Sequence, residues 1–297
     1  MVALKTFSRS KQLRDILTLD RRNGQRIAFV PTMGNLHDGH IQLVRKAKQI
    51  ADKVVVSIFV NPLQFGANED LSSYPRTLAA DKEKLLAEGA DYLLYPDVEE
   101  IYPEGMDKQT LVIVPELADT LCGATRPGHF SGVSTVVAKL FHIVAPDIAI
   151  FGKKDFQQLA IIEKMAKDLC MPIEILGVET ARDVDGLALS SRNGYLTEQE
   201  RLIAPKLHKV LQECRNAIAS GFDSYHELEQ YCTGKLKAEG FDPDYFSVRD
   251  AETLTDVTAA TEQLVILAAA KLGRPRLIDN VTLTLDPKKD WGMLSAH

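Results

Sequence analysis

Apolar residues fall along this chain in short runs separated by helical stripes. The run Ile27-Ala28-Phe29-Val30 is followed, after a turn rich in polar residues and glycine, by Ile41, Val44, Ala47 and Ile50, spaced three apart on one helical face. Further β-branched or apolar runs at 54–60, 92–95, 111–114, 148–151 and 173–178 predict strands. Helical patterns at 79–88 and 133–144 lie between them. Repeated strand–helix alternation predicts an α/β fold with a mostly parallel, doubly wound sheet, in which ligands sit beyond the carboxyl ends of the strands.

The texture changes near residue 180. A polar stretch rich in Arg, Asp, Gly, Ser and Asn runs to Asn193, and a helical block spans 197–220, with Thr197 and Glu200 spaced as a capping box. A second helix is expected at 224–239, ended by Gly240, followed by strands at 245–248, 264–270 and 276–283. This pattern predicts two domains, 1–180 and a smaller α+β domain at 181–297. The tail after Asp286 is polar and expected to be loose. Neither an internal repeat nor a low-complexity tract interrupts the pattern.

Composition narrows the function classes. The 297 residues are 45% hydrophobic and 26% charged, ordinary for a globular protein, and the net charge of −6 gives no global attraction to nucleic acid or anionic lipid. The absence of a bilayer-length apolar run and of a secretory apolar core at the N-terminus makes the cytoplasm the expected compartment. Cys122, Cys170, Cys214 and Cys232 are widely spaced, so isolated thiols are expected rather than a zinc site or a disulfide framework.

Candidate chemistry concentrates where strands end. Pro31-Thr32-Met33-Gly34-Asn35-Leu36-His37-Asp38-Gly39-His40 follows the first apolar run and opens into a helix. Unpaired N–H groups and the positive dipole end of such a helix favour an anion, and the two imidazoles can donate to phosphate oxygens. Histidines that merely cap the helix are the plainer alternative, and zinc lacks a third ligand at sensible spacing. Gly152-Lys153-Lys154-Asp155 follows the run at 148–151: lysine there can neutralise phosphate and aspartate can hold magnesium, although many such turns are only solvated charge. Leu189-Ser190-Ser191-Arg192-Asn193 is dense in donors suited to a polyphosphate, or to capping a helix. Amides at Gln64 and Gln158 suit a hydroxyl or carboxylate, whereas Arg126 to Phe130 reads as a turn closed by Pro127-Gly128 more readily than as a further loop contact.

In order along the chain, PTMGNLHDGH, NPLQFG, Tyr74-Pro75-Arg76-Thr77, RPGHFSGVSTVV, FGKKDFQQL and DGLALSSRNGYL resemble the pantothenate synthetase (pantoate–β-alanine ligase) family. HxGH alone marks a wide superfamily of nucleotidyltransferases and class I aminoacyl-tRNA synthetases; its combination with the other segments is far more specific. Asn35, Asp38 and Ala181 depart from residues common in the family without removing a group the chemistry needs. The resemblance implies a Rossmann-like catalytic domain binding ATP and pantoate, a smaller C-terminal lid domain, a homodimer, and dependence on Mg2+ and ATP. It implies catalytic roles for His37, His40, Lys154, Ser190, Ser191 and Arg192. ATP would also meet Met33, Gly34, Asn35, Leu36, Asp38, Gly39, Gly152, Lys153, Asp155, Ala181 and Leu189. Gln64 and Gln158 would hold pantoate, Gln64 would also lie near β-alanine, and Asp155 would help place magnesium. A nucleotidyltransferase that stops at a stable adenylylated product, a tRNA-charging enzyme and a non-catalytic nucleotide-binding module remain as alternatives.

Overall fold

The computed structural model describes residues 3–66, 69 and 71–285. Two compact units divide the chain. One comprises residues up to Lys153 together with Gln157–Thr180; the other comprises Lys154–Phe156 and the residues from Ala181 onward.

The first unit runs β1 (Lys5–Phe7), α1 (Ser10–Arg22), β2 (Ile27–Thr32), α2 (Asp38–Ile50), β3 (Lys53–Ile58), α3 (Leu78–Ala87), β4 (Tyr92–Leu94), α4 (Val98–Ile101), α5 (Cys122–Thr125), α6 (His129–Val144), β5 (Ile148–Gly152), α7 (Phe156–Asp168) and β6 (Glu174–Val178). Its six strands are all parallel, in the order β1-β4-β3-β2-β5-β6. Parallel strands covered on both faces need continuous apolar runs, and Ile27 to Val30 and Val54 to Val56 are fully buried. From β2 the chain steps outward through β3 to β4, then returns to the other side for β5 and β6. The switch therefore lies between β2 and β5, which pair at Ala28↔Ile148 and Phe29↔Ala149. The segments after these two strands are the turn at 33–37 and the turn opening with Gly152 and Lys153.

The second unit contains α8 (Glu198–Ile203), α9 (Lys206–Ala219), α10 (Tyr225–Ala238) and an antiparallel sheet, β7 (Asp242–Asp250), β8 (Gln263–Lys271) and β9 (Arg276–Thr284), in that order. Leu264, Ile266, Ala268 and Ala270 share one face of β8 and pack with Leu207, Leu211, Cys214 and Ile218 of α9. The other face is buried too, at Val265, Leu267 and Ala269, as befits a central strand.

The α/β architecture follows the sequence pattern, with local corrections. Residues 111–114 form no strand: Leu111 and Ile113 are exposed, and the Val112 N–H donates to Thr135 Oγ1 of α6 at 3.0 Å instead of entering a ladder. The edge strand β1 leaves no signal in the sequence, because Lys5-Thr6-Phe7 is largely exposed and carries no apolar run. The helical block at 197–220 breaks into α8 and α9 at Pro205, which has no N–H to continue the ladder. The capping box expected at its start is present, with Thr197 Oγ1 accepting from Glu200 N and Glu200 Oε2 from Thr197 N. None of the four cysteines is in a disulfide; Cys170 is exposed and the others are buried. The tail after Asp286 lies outside the described residues. Among the described residues no helix is long and apolar enough to cross a membrane.

Candidate active site

The turn leaving β2 is built around a buried carboxylate. Gly34 takes φ +84° and Asn35 φ +50°, conformations that cost a side chain energy, and a Cβ on Gly34 would sit 2.9 Å from Ile58 Cγ2. Asp81 of α3 is 1% exposed, and its two oxygens accept from Asn35 N at 2.9 Å and Leu36 N at 2.8 Å. Thr77 Oγ1 donates to the same carboxylate at 3.2 Å, and Lys84 Nζ donates to the Leu36 carbonyl. Within β2, Thr32 Oγ1 donates to Ser57 O and accepts from Gly34 N. The motif sequence revealed none of this bracing. Its one signal is an acid at position 81, on the helix face that also carries Leu78 and Leu85.

This bracing delivers the chain to the N-terminus of α2 with two imidazoles in fixed orientation. His37 is the N-cap: its Nδ1 accepts from Gly39 N at 3.2 Å, while His40 Nδ1 accepts from His37 N at 3.3 Å, a reciprocal capping box. The rings lie 4.1 Å apart between centroids. An Nδ1 that accepts a backbone N–H carries no proton, so each neutral ring holds its proton on Nε2. The capping and anion-binding readings of these histidines are therefore compatible: one nitrogen caps and the other is a donor.

Gln64 is tied into the same end of the sheet. It closes a 3-10 turn after β3, is 8% exposed, and its Nε2 donates to Met33 Sδ at 2.8 Å. Asn61 Nδ2 reaches Gln64 Oε1 at 3.3 Å and Gly132 O at 3.1 Å, and Tyr102 Oη donates to Asn61 Oδ1 at 2.7 Å. Gly132 admits this approach because a Cβ there would lie 2.4 Å from the Leu63 carbonyl. His129 Nδ1 donates to the Gln64 carbonyl at 2.7 Å, Arg126 Nη1 meets His129 Nε2 at 3.0 Å, and Arg126 grips Glu69 with two bonds of 2.6 Å. Burial pushes the Glu69 carboxyl up, but Arg126 outweighs it and holds it below the usual carboxylate range. Arg126 and His129 thus brace the amide-bearing turn.

At the end of β5, Gly152 has nothing within 4 Å of where a Cβ would point. The Lys153 ammonium pairs with Glu179. In the first turn of α7, the Gln157 amide is committed to Cys122 N, Leu117 O and Thr120 O, whereas Gln158 beside it is half-buried. Between these neighbouring glutamines, Gln157 is structural.

In the second unit, Lys154 Nζ lies 3.7 Å from Asp155 Oδ2. Ala181 and Leu189 come together at the base of a hairpin, Leu189 N donating to Ala181 O at 2.9 Å, with Arg182 bridged to Ala188. Ser190 caps the following 3-10 turn (Ser191–Tyr195), its Oγ accepting from Arg192 N at 3.2 Å. Among the described residues no cluster of three or more His, Cys, Asp or Glu side chains could hold a metal ion. Asp155 offers a single half-exposed carboxylate, which suits a hard cation that keeps most of its waters.

Comparison with known proteins agrees in every respect that it reaches. The family model described as Pantoate-beta-alanine ligase matches residues 5–282. Pantothenate synthetase of Pseudomonas fluorescens (strain Pf0-1) is 56% identical over 283 residues, covering 95% of this chain and 99% of its own. The Marinobacter nauticus protein of the same name is 54% identical over 281 residues, covering 95% and 100%. The crystal structure of pantothenate synthetase from Thermus thermophilus matches with a TM-score of 0.87 at 43% identity, covering 94% of this chain and 99% of that one. That of pantoate-beta-alanine ligase from Francisella tularensis, complexed with beta-gamma ATP and beta-alanine, gives 0.77 at 36%, covering 94% and 97%. The chain belongs to the pantoate–β-alanine ligase family.

Proposed function

We infer that this protein joins pantoate to β-alanine at the expense of ATP, giving pantothenate, AMP and pyrophosphate. A carboxylate is a poor acyl donor, so an oxygen of pantoate first attacks the α-phosphorus of ATP, and the bond to the β-phosphate breaks with pyrophosphate leaving. The neutral amine of β-alanine then attacks the acyl carbon of the mixed anhydride. The C–O bond to AMP breaks, and the amine loses a proton as the amide forms. Little covalent work falls to the protein, so positioning and charge stabilisation dominate.

The observation that carries this reading is the contact between Met33 and Gln64 at the carboxyl ends of β2 and β3. It sets an amide suited to an acid's oxygens beside the helix start that suits its phosphate co-substrate. His37 and His40 contact the phosphates through their Nε2 protons, and Met33, Gly34, Asn35, Leu36, Asp38 and Gly39 line the nucleotide through the turn. Gly152 leaves backbone room there, with Lys153 next to it. Lys154, Ser190, Ser191 and Arg192 neutralise charge building on pyrophosphate, with Ala181 and Leu189 at the hairpin base beside ATP. Gln64 and Gln158 grip pantoate, and Gln64 receives β-alanine. Asp155 would help hold Mg2+ brought in with ATP, and the ion would supply charge neutralisation on the phosphates. The C-terminal unit acts as a lid that keeps water from the adenylate, and the enzyme works as a cytoplasmic homodimer; the dimer is tested by light scattering.

The test separates this ligase from a simple nucleotidyltransferase and from a non-catalytic module. Pantoate alone should support ATP–pyrophosphate exchange, and AMP should accumulate over many turnovers only when β-alanine is added. A stable adenylylated product that ignores β-alanine would point to the nucleotidyltransferase; nucleotide binding with no exchange would point to the module.

A further inference from the structure

Two consecutive polar residues, Asp279 and Asn280, are buried in β9, 3% and 7% exposed. Successive strand residues face opposite sides, so the pair reaches both ways. Asp279 shares a face with Leu277 and Val281, which pack in the core with α9. Its carboxylate takes two bonds from Arg182, at 2.6 and 2.8 Å, and His208 Nδ1 of α9 lies 3.2 Å away. Burial pushes that carboxyl up, but His208 and Arg182 together hold it below the usual range. Arg182 also donates to Gly186 O at 3.1 Å, so the anchored guanidinium fixes the hairpin that feeds Ser190, Ser191 and Arg192. Asn280, facing the other way, donates through Nδ2 to the Lys154 carbonyl at 2.9 Å, across 126 positions of sequence.

One dipeptide of β9 therefore holds both segments of the second unit that carry cationic candidates for the triphosphate. Well-packed apolar residues can stabilise a fold as well as a buried ion pair such as Arg182–Asp279 does, so what distinguishes the pair is the geometry it fixes. We propose that Asn280 is a positioning residue for Lys154, and that with Asp279 it sets the Lys154 turn in register with the Ser190–Arg192 loop. The proposal rests on the reading of Lys154 as a group that neutralises phosphate charge.

Asn280→Asp tests it with almost no change of shape, because it replaces the donor aimed at a carbonyl with an acceptor. Asn280→Ala removes the donor without adding charge and serves if the aspartate variant fails to fold, as judged by circular dichroism. In pantoate-dependent ATP–pyrophosphate exchange, either variant should fall at least tenfold in rate or rise at least tenfold in KM for ATP, while KM for pantoate stays within twofold. In a Lys154→Ala background the same substitution should add less than a twofold further loss, because the bond it removes is made to Lys154 and the loop is held separately through Asp279 and Arg182. Independent, multiplying losses, or normal exchange by a folded Asn280 variant, would overturn the positioning role. Normal exchange by Lys154→Ala alone would overturn the reading of Lys154 on which it rests.

Discussion

Replacing Asp81 should reveal how much the turn proposed to meet phosphate depends on a buried brace behind it. Asp81→Ala strips acceptors from Asn35 N, Leu36 N and Thr77 Oγ1 in a site that is 1% exposed. A hydrogen bond to a charged group contributes about 1.5–3 kcal/mol, and a buried donor left unpaired costs about 1–3 kcal/mol of the same loss rather than in addition. Two orphaned amides therefore predict a destabilisation of about 3–5 kcal/mol, the range seen when a buried charged partner is removed. Asp81→Asn keeps one acceptor but turns an NH2 towards the other donor, for a loss of about 2 kcal/mol. Thr77→Ala removes a single 3.2 Å bond and should cost less than about 1 kcal/mol. Urea unfolding followed by circular dichroism orders the three variants. The folded Asp81→Asn protein should also show a raised KM for ATP, because residues 35 and 36 run directly into the His37 cap. An alanine variant within about 1 kcal/mol of the parent, or an asparagine variant with unchanged stability and KM, would refute the bracing.

Other expectations can be checked in parallel. His40→Ala should slow adenylation by about 100-fold, read as the rate of pyrophosphate release, since it removes a donor to developing charge; near-normal release by a folded variant would contradict that role. Gly152→Ala should leave stability within about 1 kcal/mol, because a Cβ there meets nothing within 4 Å, yet should raise KM for ATP if nucleotide occupies that space. Gln158→Ala should damage pantoate use more than ATP binding, and equal losses in direct titrations of both would contradict the assignment. Glu69 and Asp279 are both held below the ordinary carboxylate range, so the stability that depends on their charge is complete only above about pH 5 and is lost as pH falls through their lowered values. The urea midpoint should fall in that acid window, less steeply for Glu69→Gln; an identical profile in that variant would exclude Glu69 as a source.

What could be read in advance divides along a physical line. Continuous apolar runs announced β2 and β3 because parallel strands are covered on both faces, and the glycine and histidines after β2 announced a helix start. Those signals are local. The run at 111–114 looked the same locally and failed, because pairing is a matter of neighbours and the Val112 N–H found Thr135 instead. Arg126 and His129, ambiguous as sequence, acquire a role only once Gln64 lies beside them.

The braces were the least legible part, although they left a trace. Asp81 stands on an apolar helix face between Leu78 and Leu85, and Asp279 shares a strand face with Leu277 and Val281. A carboxylate in such a position must find partners or lose several kcal/mol, so its presence says that donors arrive from elsewhere without saying which. The partners prove to be backbone amides 45 and 46 residues away for Asp81 and a guanidinium 97 residues away for Asp279. Motifs thus mark the candidates for ligand contact, whereas a misplaced acid marks a brace that holds such candidates still. In this chain both misplaced acids brace segments carrying the phosphate-side candidates, which is why substitutions at Asp81 and Asp279 should disturb the use of ATP before that of pantoate.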